Sequence, residues 1–420
     1  MTDIQPVPDA ARLAAGSPAH DETTATLYGP KFQQNPGELY RELRREHGTV
    51  APVLLVGDVP AWLVLGYREI HQVISNPQLF GYDCRRWNLL DQLPPNWPLR
   101  PYVTHNPSIL FAEGEEHWAR LTAMSDAFAE VDQFELRSHC ERTADLLIDG
   151  FASRGDADLM ADYALAMPLL VLGALFGLSD AESLELLRDM IATVETERPM
   201  EGYLRVREAM EPLLAAKRER PGPDVPSRLL AHPTEHTDEE LVADLIMLIT
   251  LAQCTTPYWI GNTIRLMLTD DRFAVTLSGG RRSVAEAMNE VLWEDTPLQN
   301  WVGRYPVRAT QLGGQRIGAG DLVVLGIAAA NADPQVWPDS GTRAEGNHAH
   351  LSFGHGERGC PYPTKEVAEV IARTAVEVLL DRLPDVMLSV PAQQLEWLDS
   401  VWIRGLAALP VSFTPVTTLE

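Results

Sequence analysis

The feature that most limits the possible folds of this chain is an apolar, helix-patterned segment between Thr237 and Leu268. Thr237 and Glu240 have the spacing of a capping box, in which each side chain bonds the backbone of the other at the start of a helix. The pattern over these roughly thirty residues predicts a helix about 45 Å long at 1.5 Å per residue. A helix of that length crosses a whole domain, so the rest of the fold must be built around it.

The remaining pattern predicts a mainly α fold with a small β region. Helical periodicity continues through most of residues 115–269, with breaks at glycine- and proline-rich points. The runs VAPVLLV and AWLVLGY flank the turn GDVP and predict a hairpin. The N-terminal residues are rich in Ala, Pro, Asp and Thr and lack apolar periodicity. We therefore predict a flexible leader over residues 1–26 and a single domain over residues 27–420.

Composition excludes several classes of protein. The chain has 34 Lys and Arg residues against 59 Asp and Glu residues, a formal net charge of −25, so its field repels nucleic acid and anionic membranes. The N-terminus lacks the basic and apolar regions of a secretion signal, which predicts a cytoplasmic protein with no membrane partner. The four cysteines are far apart in sequence, which argues against a disulfide framework. They are Cys84, Cys140, Cys254 and Cys360.

The most specific segment is HLSFGHGERGCPYP, residues 350–363. Its three glycines allow a tight backbone turn, and we predict that the turn ends with Cys360 at the start of a helix. Backbone donors and a helix N-terminus lower the pKa of a thiol, and a thiolate is the form that binds metals. The neighbouring histidines, His348, His350 and His355, would also suit zinc, but no second cysteine accompanies them.

This segment, Phe353-Gly-His-Gly-Glu-Arg358-Gly-Cys360, resembles the haem-binding loop of the cytochrome P450 family, the haem-thiolate monooxygenases. Further likeness to bacterial soluble members lies in PAWLVLGY, NPQLF, GAGDLVVLGIAAANADPQVWPD and RGLAALPV, so the resemblance covers residues 27–415. It implies the α-rich P450 prism, with the long helix over the haem. It also implies an oxidoreductase that inserts one oxygen atom from O2 into a small hydrophobic or aromatic molecule.

The resemblance implies cofactors and partners as well. The cofactor would be haem b, with electrons from NAD(P)H delivered through redox partners. The last of these partners would be ferredoxin-type, docking on a local basic face of the acidic chain. Candidates for that face are Arg358, Lys365, Arg373 and Arg120.

By the same resemblance, Cys360 is the proximal iron ligand and Phe353 packs beside its sulfur. The haem propionates would bind Arg358, His117 and Arg304, with Arg120 one residue away from the usual position of a further arginine. The distal substrate pocket would be lined by Trp87, Leu251, Ala252, Asn300, Trp301, Val302 and Trp402. The tryptophans are equally compatible with core packing.

Three segments depart from the family pattern. One follows the cysteine, where relatives commonly have Cys-x-Gly and this chain has Cys360-Pro361-Tyr362-Pro363, which removes two backbone donors near the sulfur. Where the family has Glu-x-x-Arg, this chain reads Glu290-Val-Leu-Trp293. An orphaned buried carboxylate costs several kcal/mol, so we predict that Glu290 keeps a cationic partner, with Arg343 as the candidate, and that Trp293 fills the space of the missing arginine.

The long helix departs at the family's Ala-Gly-x-Glu/Asp-Thr motif, where this chain has Leu251-Ala252-Gln253-Cys254-Thr255. The resemblance gives Thr255 a part in proton delivery, but the acid is missing and Cys254 is a poor proton relay, so Gln253 and water would have to substitute. Alternatively, Thr255 is an ordinary helix threonine bonded back to a carbonyl. Two other functions therefore stay open: a haem-thiolate protein with non-hydroxylating or peroxide-driven oxidation, and a catalytically weak haem-fold partner of another protein.

Overall fold

The computed structural model describes residues 24–195, 199–274, 282–336 and 346–416. This part of the chain is mainly helical with a small proportion of strand, which confirms the predicted fold class. The helices are α1 (Pro30–Gln34), α2 (Pro36–His47), α3 (Tyr67–Ile74), α4 (Arg100–Val103), α5 (Gly114–Ala129), α6 (Gln133–Asp149), α7 (Ala166–Leu175), α8 (Asp180–Glu195), α9 (Pro199–Glu219), α10 (Val225–Ala231), α11 (Asp238–Thr269), α12 (Asp271–Ala274), α13 (Arg282–Glu294), α14 (Ile327–Asn331) and α15 (Thr364–Arg382).

The strands form one larger and two smaller sheets. They are β1 (Val50–Leu55), β2 (Val59–Val64), β3 (Phe80–Gly81), β4 (Asp156–Asp158), β5 (Trp301–Pro306), β6 (Thr310–Leu312), β7 (Gln315–Ile317), β8 (Val323–Leu325), β9 (Met387–Leu388) and β10 (Pro410–Ser412). The larger sheet has the order β1-β2-β8-β5-β3, and the others are β4-β10-β9 and β6-β7. The predicted hairpin is the antiparallel pair β1 and β2. Pro60 precedes the point where β2 begins to pair with β8 at Trp62, so its missing N–H costs no hydrogen bond to β8.

The long helix α11 is present as predicted. Thr237 is its N-cap, and both halves of the capping box form: Glu240 N donates to Thr237 Oγ1 at 3.2 Å, and Thr237 N donates to Glu240 Oε2 at 2.7 Å. The helix continues without a break past Pro257 and contacts α7, α9, α13 and α15. Among the described helices it alone is long and apolar enough to cross a membrane, but 61% of its most apolar window is buried inside the fold, as is usual for a core helix.

The N-terminal boundary can be followed only from residue 24, because residues 1–23 of the predicted leader lie outside the described residues. Residues 25 and 26 already belong to the fold. Leu54 N donates to Ala25 O at 2.9 Å, and Thr26 forms a β-bridge with Leu54. The division into a leader and a single domain stays a prediction.

The segment that carries Cys360 lies between α13, α14 and α15. Ser352 Oγ donates to the Leu292 carbonyl of α13 at 2.6 Å. Asn331, the last residue of α14, donates to the same carbonyl at 2.9 Å and accepts from Leu351 N at 2.8 Å. These bonds hold residues 351 and 352 against the end of α13, ahead of the cysteine.

Candidate active site

The backbone before Cys360 forms a closed turn. Cys360 N donates to Phe353 O at 2.7 Å, so the six intervening residues loop out and return. Gly354 and Gly356 have φ values of 70° and 67°, in the left-handed region that favours glycine. A Cβ on Gly354 would also lie 3.0 Å from the Cα of Gly359. The glycine spacing predicted such a turn because no other residue fits these positions without strain.

Cys360 lines a recess beside this turn. Its sulfur is 3.3 Å from Thr364 Oγ1, and the side chain keeps an exposed surface. Surrounding protein atoms nevertheless raise the pKa of the thiol through desolvation, and Glu366 adds to this, while Thr364 and Lys365 lower it. A side chain that is crowded by protein atoms and still exposed lies in a concave site.

The predicted lowering of the Cys360 pKa is therefore wrong, chiefly because desolvation outweighs the groups that favour the thiolate. Helix α15 begins at Thr364 rather than at the cysteine, and this first residue reaches the sulfur through its hydroxyl. Pro361 and Pro363 also have no N–H to offer to a thiolate. Since these groups do not deprotonate the thiol, a bound metal cation is needed to hold it as a thiolate.

Cationic side chains converge on Tyr82, which follows β3. Arg304 donates to the Tyr82 hydroxyl, and its Cζ lies 3.4 Å from the centroid of the tyrosine ring. The Cζ of Arg358 lies 4.0 Å from the same centroid. His117, on α5, is near enough to Arg358 for the guanidinium to contribute to lowering the pKa of the imidazole. The structure thus brings together three of the residues predicted to bind propionates.

This cluster is positively charged, and although Glu357 and Glu113 act on Arg358 from a distance, desolvation still lowers the pKa of that guanidinium. Desolvation lowers the pKa of Arg304 to about 10, and desolvation with two nearby arginines lowers that of His117 to about 4. In the described parts of the chain, no carboxylate forms an ion pair with Arg304 or Arg358. His117 Nδ1 and the Nε atoms of both arginines are buried without hydrogen-bond partners. Buried donors of this kind require acceptors, so the cluster fits a ligand with carboxylates, as haem is.

Arg120, the fourth predicted propionate ligand, has other partners. Its guanidinium lies 2.7 Å from Asp244 of α11 and 3.1 Å from Glu116, and it also donates to Pro107 O at 2.7 Å. Both Arg120 and Asp244 are buried. The arginine is therefore committed to joining α5 to α11, and the structure does not place it with Arg304.

The middle of α11 places its polar side chains on different sides. Thr255 Oγ1 donates to Leu251 O at 2.8 Å, which is the back-bonded arrangement of an ordinary helix threonine. Gln253 Nε2 donates to Leu165 O at 2.8 Å, so it faces the helices that pack behind α11. Burial raises the pKa of Cys254 to about 11, so its thiol is protonated at neutral pH. The structure does not bring these three side chains into one hydrogen-bonded relay.

An aromatic region lies beside Cys254. The rings of Tyr102 and Trp402 are 6.1 Å apart, and Cys254 and Tyr258 add to the desolvation that raises the pKa of Tyr102. Tyr102 is also 37% exposed, which, like Cys360, indicates a side chain that lines a recess.

The other predicted lining residues divide into two sets. Trp87 is buried between Trp97 and Tyr305, at ring distances of 5.9 and 6.2 Å, in the apolar cluster that also contains Trp402 and Val302. Asn300 is buried and donates to Val401 O at 2.7 Å. The partly buried Leu251, Ala252 and Trp301 have some exposed surface.

Comparison with known proteins identifies the family. No protein-family model matches the chain. The vitamin D(3) 25-hydroxylase of Pseudonocardia autotrophica is 28% identical over 424 residues, which cover 96% of this chain and 99% of the relative. The cytochrome P450 monooxygenase PikC of Streptomyces venezuelae is 28% identical over 395 residues, 91% of this chain and 92% of the relative.

Solved structures agree. The myxobacterial cytochrome P450 CYP267B1 is 26% identical, with a TM-score of 0.81 over 92% of this chain and 98% of its own. CYP154A1 of Streptomyces coelicolor A3(2) is 27% identical, with a TM-score of 0.79 over 93% and 100%. The chain belongs to the cytochrome P450 family. It is therefore an oxidoreductase of the P450 monooxygenase class, and the family implies haem, which the recess at Cys360 and the unpaired donors of the cationic cluster fit.

Helix α13 carries Glu290 and Trp293, the two residues of the predicted departure. Glu290 lies 3.2 Å from Arg272 of α12, so the prediction of a cationic partner is confirmed, whereas the candidate Arg343 lies outside the described residues. Trp293 is buried, as predicted, but it is more than apolar filling: its indole N–H donates to Asn347 O at 2.9 Å. Asn289, one turn earlier, donates to the same carbonyl at 3.1 Å.

Proposed function

We propose that this P450 binds haem b through Cys360 and inserts one oxygen atom from O2 into a small hydrophobic or aromatic substrate. The observation that carries the proposal is the set of buried, unpaired donors on His117, Arg304 and Arg358. Arg358 belongs to the closed turn that ends at Cys360, and Arg304 meets it at the Tyr82 ring. A haem has one metal for the sulfur and two carboxylates for the donors. Bound there, it would supply the activation of dioxygen that thiolate ligation favours.

The chain's own groups would hold this cofactor at three points. Cys360 would bind the iron, which supplies the positive charge that the thiolate otherwise lacks. Arg304 and Arg358 would donate charge-assisted hydrogen bonds to the propionates, and neutral His117 would donate one more. Phe353, whose carbonyl accepts from Cys360 N, would fix the approach of the sulfur.

Aromatic side chains support a hydrophobic substrate. Tyr102 and Trp402 pack together, and Tyr102 lies near Cys254, so they offer flat apolar surfaces there. The relatives point the same way: one is named for vitamin D(3), and CYP267B1 was solved with myristic acid. We expect Trp402 to contact substrate and Trp87 to support it from the adjoining core.

Proton delivery would rest on Thr255. To pass a proton, its hydroxyl must leave the Leu251 carbonyl, since a hydroxyl donates only one hydrogen bond. Cys254 holds its proton too tightly to assist, and Gln253 is turned toward Leu165. Water would therefore connect Thr255 to the surface.

The lack of an acidic side chain beside Thr255 favours a second candidate function, a peroxide-driven or non-hydroxylating oxidation by the haem-thiolate centre. Peroxide brings its own protons and electrons, so an enzyme that uses it does not depend on an acid at position 254. The two functions differ in their oxidant. Product formed from O2 and reductant supports the first, and product formed only with hydrogen peroxide supports the second.

For electrons we propose NAD(P)H as the source and a ferredoxin-type protein as the donor, in the cytoplasm. Two of the candidate docking residues, Arg120 and Arg373, form ion pairs with Asp244 and Glu369. Arg358 is assigned to the propionates, so the basic face would depend chiefly on Lys365. Reduction by an acidic ferredoxin should slow as salt is raised, because docking between these charges is screened.

The spectrum of the purified protein, reduced and exposed to carbon monoxide, tests the proposed function first. A red-shifted Soret band typical of thiolate ligation is expected. Protein that takes up no haem, or a band typical of histidine or neutral thiol, would refute the assignment of Cys360.

Cys254→Asp tests whether proton delivery limits turnover. We expect O2-dependent turnover to rise about tenfold or more, because a carboxylate beside Thr255 can accept and return protons. Turnover is measured as product per reducing equivalent consumed. Cys254→Asn is the matched control, since it has the same shape without a titratable group, and an equal gain with Asn would show that proton transfer is not the cause.

A further inference from the structure

A column of four rings joins α11, the cysteine loop and α13. Trp259 of α11 lies 5.6 Å from Phe353, Phe353 lies 6.2 Å from His350, and His350 lies 5.8 Å from Trp293 of α13. Trp259 with Phe353 and Trp293 with His350 meet edge to face, at 71° and 90°. Such geometry is favourable for aromatic pairs and fixes each ring relative to the next.

Both ends of the column are tied down by indole N–H groups. Trp259 Nε1 donates to Met288 O of α13 at 3.0 Å, and Trp293 Nε1 donates to Asn347 O at 2.9 Å. Residues 289 and 293 lie on one helix face, so Asn289 supports the same carbonyl. One end of the column is therefore bonded to α13 through Met288, and the other end, Trp293, is itself a residue of α13.

The middle of the column controls the backbone of the cysteine. Phe353 O accepts from Cys360 N at 2.7 Å, and Gly354 N donates to Leu351 O at 2.8 Å. The residue whose ring packs in the column is thus the residue whose carbonyl accepts from Cys360 N. Trp293 is the only described side chain that both donates to Asn347 O and contacts the His350 ring.

We propose that Trp293 is a positioning residue for the iron ligand, acting through Asn347 and the rings of His350 and Phe353 to fix Cys360. This inference rests on the proposed role of Cys360 and extends it. At the position where the family has an arginine, this chain achieves the link between α13 and the cysteine loop with one neutral N–H and an aromatic contact. Because an indole is neutral, position 293 carries no buried charge, and the desolvation cost of a buried arginine is avoided.

Trp293→Phe tests the proposal because it keeps a ring and removes the N–H. In the reduced, CO-bound protein we expect a smaller fraction of the thiolate band and a larger fraction of the neutral-thiol band than in the parent. In haem-free protein we expect amide hydrogen exchange over residues 349–354 to become about fivefold faster, as for the loss of one buried hydrogen bond. The second measurement does not depend on the cofactor.

Trp97→Phe is the matched control. Trp97 is also buried, and its indole N–H donates to Val56 O at 2.7 Å, but it lies in the apolar cluster beside the larger sheet. The Trp97→Phe substitution should leave both the CO spectrum and the amide hydrogen exchange of residues 349–354 unchanged. If Trp293→Phe does not fold, Asn289→Ala weakens the same anchor from a partly buried position and should change both readouts in the same direction by less.

Three results overturn the inference. They are parent-like spectra and exchange in Trp293→Phe, equal changes in Trp97→Phe, and, where Asn289→Ala replaces the tryptophan variant, no change in either readout. A parent protein without a thiolate band would instead refute the proposed role of Cys360 itself, so the two failures are distinguishable.

Discussion

Replacing Cys360 with serine abolishes the thiolate spectrum and lowers O2-dependent turnover by on the order of a thousandfold, equivalent to about 4 kcal/mol of activation free energy. A serine hydroxyl does not ionise at neutral pH and donates less electron density to iron than a thiolate does. The cationic cluster is untouched, so we expect the variant still to bind haem. The measurements are the spectrum of the reduced, CO-bound protein and product formation with electron donors present.

Cys140→Ala provides the control for this experiment. Cys140 is fully buried in α6 within the helical core, and burial raises the pKa of its thiol to about 12. Its removal should cost about 1 kcal/mol of stability through lost packing and leave the spectrum as in the parent. A red-shifted band that survives in Cys360→Ser would show that another residue binds the iron.

Local features of this site could be predicted from the sequence. Glycines at 354 and 356 are required by φ values that the turn itself imposes, and Thr237 and Glu240 cap α11 through neighbours only three residues apart. Such signals depend on a few adjacent residues. For the same reason the loop motif and the long helix were sufficient to indicate the family.

Contacts between distant segments could not be predicted. Tyr82 meets Arg304 across 222 positions of sequence, and Arg120 meets Asp244 across 124. Nothing near Tyr82 in the sequence marks it as a partner of two arginines. Arg120, one residue from a family position, looked like a propionate ligand until the fold placed Asp244 beside it.

The error over the Cys360 pKa had a visible sequence signal. Pro361 and Pro363 remove two backbone donors, and the helix begins only at Thr364. A glycine-rich turn alone therefore does not ensure an acidic thiol. Desolvation by the surrounding protein is the largest influence on the pKa of the Cys360 thiol, and it depends on the packing of segments that are distant in sequence.

The cationic cluster gives the second large effect, because binding and stability should change in opposite directions. For Arg304→Met we expect haem affinity to fall about thirtyfold, corresponding to about 2 kcal/mol for a lost charge-assisted hydrogen bond. The haem-free protein should become about 1 kcal/mol more stable, because Arg304 is a buried charge whose pKa is lowered to about 10 by desolvation. Affinity is measured by haem transfer to a competing acceptor protein, and stability by urea unfolding of the haem-free chain.

Arg120→Met is the informative comparison, since both arginines are buried but only Arg120 pairs with a carboxylate at 2.7 Å. Its loss leaves Asp244 buried without its cation, so the haem-free protein should lose about 3 kcal/mol of stability. A binding residue and a structural residue therefore give opposite signs in the same unfolding experiment. If Arg304→Met destabilised the haem-free protein as strongly as Arg120→Met, Arg304 would be part of the scaffold, and the cationic cluster would no longer support a carboxylate-bearing cofactor.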